Sequence, residues 1–174
     1  LPGSWDPFEF SIRAILGQQI SVKAATTLAN RIVNSFGSST NIDGKKIHLF
    51  PTPEQLTGVD FTKIGVTRKR NETLVNWVNF YQENIKLFST AVDLNEFIST
   101  LCAQPGIGDW TANYIAMRGI SLPDAFPATD LGILKAMNLS NKPKEIKQLM
   151  SEASHWRPWR AYATLFLWQS LKEA

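Results

Sequence analysis

One segment, Leu101-Cys-Ala-Gln-Pro-Gly-Ile-Gly-Asp-Trp-Thr-Ala-Asn-Tyr-Ile-Ala116, restricts the fold more than any other part of the chain. The spacing of Leu94, Phe97, Ile98 and Leu101 predicts an amphipathic helix, with Asp93 and Glu96 placed as a capping box at its start. Pro105-Gly-Ile-Gly108 cannot continue that helix, because proline breaks the ladder and the two glycines favour a reversal. A second helix over about 109–118 follows at once, so the two must fold back on each other as a hairpin over about 94–118. Gly106 and Gly108 allow positive φ and close approach of a partner, while Ile107 can plug between the helices. The free N–H groups opening the second helix then point outward, an anion site suited to a phosphate. Such a turn holds a nucleic-acid backbone without reading bases, since its donors meet only phosphate oxygens. Taken alone, the same residues suit an ordinary glycine-rich connection between two core helices better than a phosphate site.

The rest of the chain is helical in pattern. Phe8, Ile12, Ile15 and Leu16 recur at helix spacing behind the start signal Asp6-Pro7. Gly17-Gln-Gln-Ile20 interrupts, Ser21 caps a second helix with the stripe Ala25, Leu28, Ile32 and Phe36, and Gly37 stops it. Residues 38–52 are polar and turn-rich, the one place where a small strand hairpin fits. Short helices near 53–57 and 60–64 precede a longer one from Arg68 that buries Leu74, Val75, Val78 and Tyr81. Further helices start near Asp130, near Pro143 and at Arg157-Pro158. The expected architecture is all-α, with two helical lobes around a cleft and a helix-hairpin-helix motif. At roughly 100–200 residues per domain, the 174 residues make one domain. Opening on Leu1 rather than Met, the chain reads as part of a longer protein. One cysteine, Cys102, excludes an intrachain disulfide framework, a cysteine zinc site and a protein-ligated iron–sulfur cluster. No run approaches the roughly 20 apolar residues of a membrane span. A net charge of +3 is compatible with a nucleic-acid partner without implying one.

What changes the weight of the hairpin is Asp130, in Phe126-Pro-Ala-Thr-Asp-Leu131 shortly beyond it. Alone, it would be read as an N-cap. With it, the chain resembles the helix-hairpin-helix–GPD superfamily of base-excision DNA glycosylases, nearest to the AlkA-type 3-methyladenine branch. The likeness runs from Leu1-Pro-Gly3 through Phe8-Glu9, Ile12-Arg-Ala-Ile-Leu-Gly-Gln18, Ile20-Ser21 and Phe50-Pro-Thr-Pro53. It continues through Pro105-Gly-Ile-Gly108, Trp110-Thr-Ala-Asn-Tyr114, Ala116, Arg118-Gly119, Asp130 and Trp156-Arg-Pro-Trp-Arg160.

The resemblance implies a DNA glycosylase that flips an alkylated purine out of duplex DNA and releases it by hydrolysis, leaving an abasic site. Asp130 matches the essential carboxylate, which stabilises the positive charge that builds on the sugar as the glycosidic bond breaks. Trp110, Tyr114 and Trp168 match the base pocket, with Gln18 beside them. Electron-rich rings attract an alkylated, cationic purine by about 0.5–2 kcal/mol. Gln19 matches the wedge that fills the gap in the stack, where the AlkA type has leucine; Gln18 is the alternative. Pro105, Gly106, Ile107, Gly108 and Thr111 form the phosphate-binding hairpin. The carbonyls of Cys102, Gln104 and Gly106 match those that hold a monovalent cation, Na+ or K+, in relatives; no cofactor is required.

Relatives with lyase activity use a lysine early in the second hairpin helix. Trp110 stands there, and residues 93–130 contain no lysine, so a monofunctional enzyme is expected. Lys23, Arg68, Lys69, Arg70, Arg118, Arg157 and Arg160 are candidate phosphate contacts, although Arg68-Lys-Arg70 also suits a solvated helix start. Trp156 and the stripe Trp159, Tyr162, Ala163 and Phe166 read as core. His48 and His155 stand alone. The implied protein is an intracellular monomer acting on damaged duplex DNA, in the bacterial cytoplasm or nucleoid or the eukaryotic nucleus, away from membranes. Two other readings stand beside it: a glycosylase of this superfamily for deaminated or oxidised bases, and a hairpin DNA-binding module without catalysis.

Overall fold

Local start and stop signals account for most of the helices in the computed structural model, which describes residues 1–89 and 92–173. Asp6 caps α1 (Pro7–Gly17) by accepting from Phe8 N–H, and Ser21 caps α2 (Val22–Phe36) by accepting from Ala24 N–H. The turn-rich stretch after α2 forms an antiparallel hairpin of β1 (Ser39–Ile42) and β2 (Lys45–His48), pairing Ser39 with His48 and Ile42 with Lys45. Its two-residue turn, Asp43-Gly44, has φ of 50° and 75°, the twist that suits a tight hairpin. Every residue of both strands is exposed, so the hairpin adds nothing to the core. Short 3-10 helices at Glu54–Leu56 and Phe61–Ile64 lead into α3 (Arg68–Glu83). The chain then runs through α4 (Leu94–Cys102), α5 (Asp109–Arg118), α6 (Leu131–Ala136), α7 (Pro143–Ala153) and α8 (Arg160–Glu173).

Two separate cores result, one for each lobe. The larger is built from Ile12 and Ile15 of α1, Ile32 of α2, Leu74 and Trp77 of α3, Phe97 of α4 and Ile115 of α5. Trp77 is fully enclosed, and its indole N–H donates to Ser11 Oγ at 2.6 Å, while Ser11 donates to the Phe8 carbonyl at 2.7 Å. That chain leaves no polar group of the pair orphaned in the apolar interior. The smaller core gathers Phe126, Ala128, Ile133, Leu134, Leu149 and Ala153, with Trp156 packed edge-on to Phe126 at 5.8 Å. Helix α8 packs on α6, and α5 packs on both α4 and α1, so the two lobes face each other across α5 and α8.

Several sequence expectations are corrected here. Trp159, Tyr162 and Phe166 are not core; they are 57%, 37% and 76% exposed. Apolar residues run all round α8, and the inward face is instead Ala161 and Thr164, with Trp168 one turn on. This helix begins at Arg160 rather than Arg157, because Ser154–Trp156 forms a 3-10 turn ahead of it. Arg160 is 6% exposed and makes a two-pronged pair with Asp124, at 2.7 Å and 2.9 Å, so it is not a phosphate contact. Arg157 leans on the same carboxylate at 3.1 Å.

Candidate active site

The hairpin between α4 and α5 is built as its residues require. Asp93 accepts from the N–H groups of Asn95 and Glu96, starting α4. Gly106 turns the chain with φ of +81°, a left-handed conformation that only glycine adopts freely. It also lies against α3: a Cβ on Gly106 would sit 2.1 Å from Thr73 Oγ1. Ile107 is 5% exposed and plugs the turn. Gly108 departs from expectation, since its φ is −102° and nothing lies within 4 Å of where its Cβ would be. Its missing side chain serves openness rather than turning: as N-cap of α5 it makes no side-chain capping bond to the first-turn N–H groups. Thr111, 3% exposed, sits in the first turn of α5.

Asp130 is the N-cap of α6. Its Oδ1 accepts from Gly132 N–H at 2.9 Å and Ile133 N–H at 3.1 Å. The Trp168 indole N–H reaches the same oxygen at 2.8 Å, and the Trp110 indole N–H reaches Oδ2 at 2.9 Å. The carboxylate therefore caps its helix and is held by two tryptophans from two other helices. Oδ1 is saturated by three donors, whereas Oδ2, with one, keeps acceptor capacity for an incoming group.

The rings form one cluster around Tyr114. Trp110 stacks on it with centroids 5.1 Å apart and planes 23° apart, and Trp168 meets it edge-on at 6.1 Å. Phe10 of α1 also packs on Tyr114, tilted by 55° with centroids 5.1 Å apart, a neighbour that the sequence pattern of α1 did not single out. Burial pushes the Tyr114 phenol up; Arg118 opposes this and Asp130 adds to it. Cys102, exposed at the end of α4, has its thiol pushed up by burial and by Asp109, and takes no part in the cluster.

Two residues missed in the sequence support this arrangement. Asn113, buried mid-helix in α5, accepts from Phe126 N–H at 3.0 Å and donates to the Asp109 carbonyl at 3.1 Å. It thereby anchors the segment that carries Asp130 to the hairpin helix. Gly132 leaves room for Trp168, since a Cβ there would lie 2.8 Å from Trp168 Cδ1 and 3.0 Å from Asp130 Oδ1. A glycine two residues past the aspartate was the available signal.

The Gly17–Ile20 loop faces the hairpin. Gln19 is exposed and has φ of 56°, uncommon for a non-glycine residue. The Gln18 amide does not join the ring cluster; it donates to the Gly106 carbonyl and to Thr111 Oγ1, both at 3.0 Å. Among the carbonyls matched to a cation site, Gln104 accepts from Ile107 N–H at 3.1 Å and Gly106 from Gln18. Each keeps a second lone pair, so the set remains chemically suited to a monovalent cation. Among the described residues no three His, Cys, Asp or Glu side chains cluster as metal ligands, and no helix is long and apolar enough to cross a membrane.

Known proteins match this arrangement over nearly the whole chain. Residues 12–161 match the family described as HhH-GPD superfamily base excision DNA repair protein. A probable bifunctional transcriptional activator/DNA repair enzyme AlkA of Mycobacterium tuberculosis is 39% identical over 173 residues, covering 99% of this chain and 35% of that protein. The DNA-3-methyladenine glycosylase 2 of Escherichia coli is 36% identical over 171 residues, covering 97% of this chain and 59% of that protein. Among solved structures, a 3-methyladenine DNA-glycosylase from Archaeoglobus fulgidus superposes with a TM-score of 0.80 at 26% identity, covering 96% of this chain and 58% of that one. The chain thus spans between about a third and three-fifths of the length of these curated relatives.

Proposed function

Since the chain belongs to the HhH-GPD superfamily of base excision DNA repair proteins, we propose that it is a monofunctional DNA glycosylase that releases alkylated purines of the 3-methyladenine type from duplex DNA. The observation that carries this reading is the carboxylate of Asp130, held by the indole N–H groups of Trp110 and Trp168 beside Tyr114. The likeness to the Escherichia coli and Archaeoglobus proteins, named as 3-methyladenine glycosylases, supports the substrate class.

The hairpin N–H groups of α5 take a phosphate of the duplex, and Gln19 enters the stack as the target nucleotide turns out. The flipped base meets the rings of Trp110, Tyr114 and Trp168. A purine alkylated at N3 or N7 is already cationic, so it leaves as a neutral molecule and needs no general acid. As the C1′–N bond breaks, its electron pair goes to the base and positive charge grows on the sugar. Asp130 Oδ2 faces that charge, and water completes the reaction by adding to C1′, giving up a proton and leaving an abasic site. When bound, a Na+ or K+ on the carbonyls of Cys102, Gln104 and Gly106 would supply one more positive charge to the phosphate. Trp110 occupies the place of the lyase lysine, and residues 93–130 hold no amine side chain to form a Schiff base. The protein is expected to act as a monomer inside the cell.

The test uses duplexes that each carry one defined lesion, followed by alkali to cut abasic sites. Release of 3-methyladenine and 7-methylguanine without strand cleavage before alkali is the expected result. Borohydride trapping of a protein–DNA adduct would refute the monofunctional reading. Release confined to deaminated or oxidised bases would refute the substrate class, and no release from any duplex would leave a binding module.

The indole N–H groups can be separated from the rings that carry them. Trp168→Phe keeps an aromatic wall but removes one hydrogen bond to a charged group, so release should slow about 10-fold or more. Gly132→Ala should reproduce that loss by displacing Trp168. Single-turnover rates for both variants at wild-type level would show that Asp130 needs no help from α8.

A further inference from the structure

We infer that Arg70 is the positioning residue of the wedge: it holds the peptide that sets Gln19, and Gln18 ties that peptide to the phosphate-binding turn. The inference rests on the proposed role of Gln19 in base flipping.

Arg70 sits in the first turn of α3, in a run of three basic residues where a solvated guanidinium would be ordinary. It turns inward instead. One terminal nitrogen donates to the Gln18 carbonyl at 2.5 Å, and its Nε is buried without a partner among the described residues. Burying part of a guanidinium is costly, so an exposed phosphate contact is a poor account of this residue. The carbonyl it holds belongs to the peptide unit joining Gln18 to Gln19. Fixing that plane fixes the ψ of Gln18, 123°, and restricts the next residue, whose φ is 56°. A glutamine does not stay in the left-handed region unless its surroundings hold it there.

The other end of Gln18 completes the link. Its amide donates to the Gly106 carbonyl and Thr111 Oγ1, both at 3.0 Å, so one residue joins the loop, the turn and α5. One turn along α3, Thr73 abuts Gly106, giving the same helix a hold on both loops. The wedge and the phosphate grip therefore share one frame, and the distance between a held phosphate and the inserted side chain is set before DNA arrives.

The test is a double-mutant cycle with Arg70→Met and Gln19→Ala, reading flipping from the fluorescence of 2-aminopurine beside a mismatch. That signal needs no bond cleavage, so it stands even if the wild-type protein releases no base and the catalytic reading fails. Arg70→Met should lower the flipped fraction about 10-fold. Arg70→Lys, which keeps a donor, should recover part of it. With Gln19→Ala already present, Arg70→Met should cost nothing further. Affinity for undamaged duplex and its slope against salt should be unchanged in Arg70→Met. Independent, multiplicative losses in the cycle would overturn the inference. So would a salt slope reduced by about one, the mark of a phosphate contact. A Gln19→Ala variant that flips normally would overturn it as well, and if Arg70→Met melts early, the cycle with Arg70→Lys decides.

Discussion

Asp130→Asn is expected to slow base release roughly 1000-fold, because in the proposed reaction the change removes the negative charge that faces the sugar. The substitution is close to isosteric. An amide oxygen in the place of Oδ1 can still accept from Gly132, Ile133 and Trp168, so the cap on α6 survives. The amide nitrogen then faces the Trp110 indole N–H, donor against donor, where the carboxylate accepted at 2.9 Å. Some loosening of Trp110 follows, but the cap, normally worth about 1 kcal/mol, is kept. Thermal stability should hardly move, and affinity for DNA carrying an abasic analogue should stay within about twofold, since the proposed phosphate contacts lie on α5. Single-turnover release and equilibrium binding on one folded preparation settle the matter. Near-normal release would remove Asp130 from the chemistry.

Gly106→Ala should fail differently, losing DNA affinity and stability together. The new Cβ meets two costs: a left-handed φ of +81° and contacts of 2.1 Å and 2.8 Å with Oγ1 and Cγ2 of Thr73. The first is worth roughly 1–2 kcal/mol and the overpacking about 1–3 kcal/mol. Relief comes from moving the turn away from α3, which also moves the N–H groups that face phosphate. Thr73→Ala in the same chain removes the two nearest atoms and should restore the packing share of stability but not the backbone share. Denaturant melts and duplex titrations of the single and double variants separate the two. Wild-type affinity in Gly106→Ala would mean that the turn is not the grip. Full rescue by Thr73→Ala would mean that the left-handed backbone costs nothing.

How much of this was legible beforehand depended on distance along the chain. Asp6, Ser21 and Asp93 as caps, the turn at 105–108, and Asp130 ahead of α6 are all local signals, and each appears where the residue types require it. The indole clamp on Asp130 was half legible: Trp110 and Trp168 could be proposed as ring walls, yet nothing local says that both turn their N–H groups to one carboxylate. Arg70 was misjudged for the same reason, since the carbonyl it serves lies 52 positions away. The outer stripe of α8 failed for another reason. A helix apolar on all sides has no preferred face in its own sequence, and only tertiary packing decides that Ala161, which joins the larger core, and Thr164 go inward. Gly108 is a third case: the turn forms where the glycines stand, but Gly108 does not take the positive φ that its residue type allows.

Asp130 belongs to the smaller lobe, through α6, while Trp110 and the phosphate-binding turn belong to the larger. A lobe with six core residues opens at lower free energy than one with many times the apolar contact. Opening the small lobe takes the carboxylate away from Trp110 and breaks the Phe126–Asn113 link to α5, while the core beneath the hairpin stays packed. The smaller core thus carries the carboxylate, and the larger carries the turn at 105–108. On warming, the smaller core should loosen first and part the carboxylate from Trp110 while the larger core is still packed.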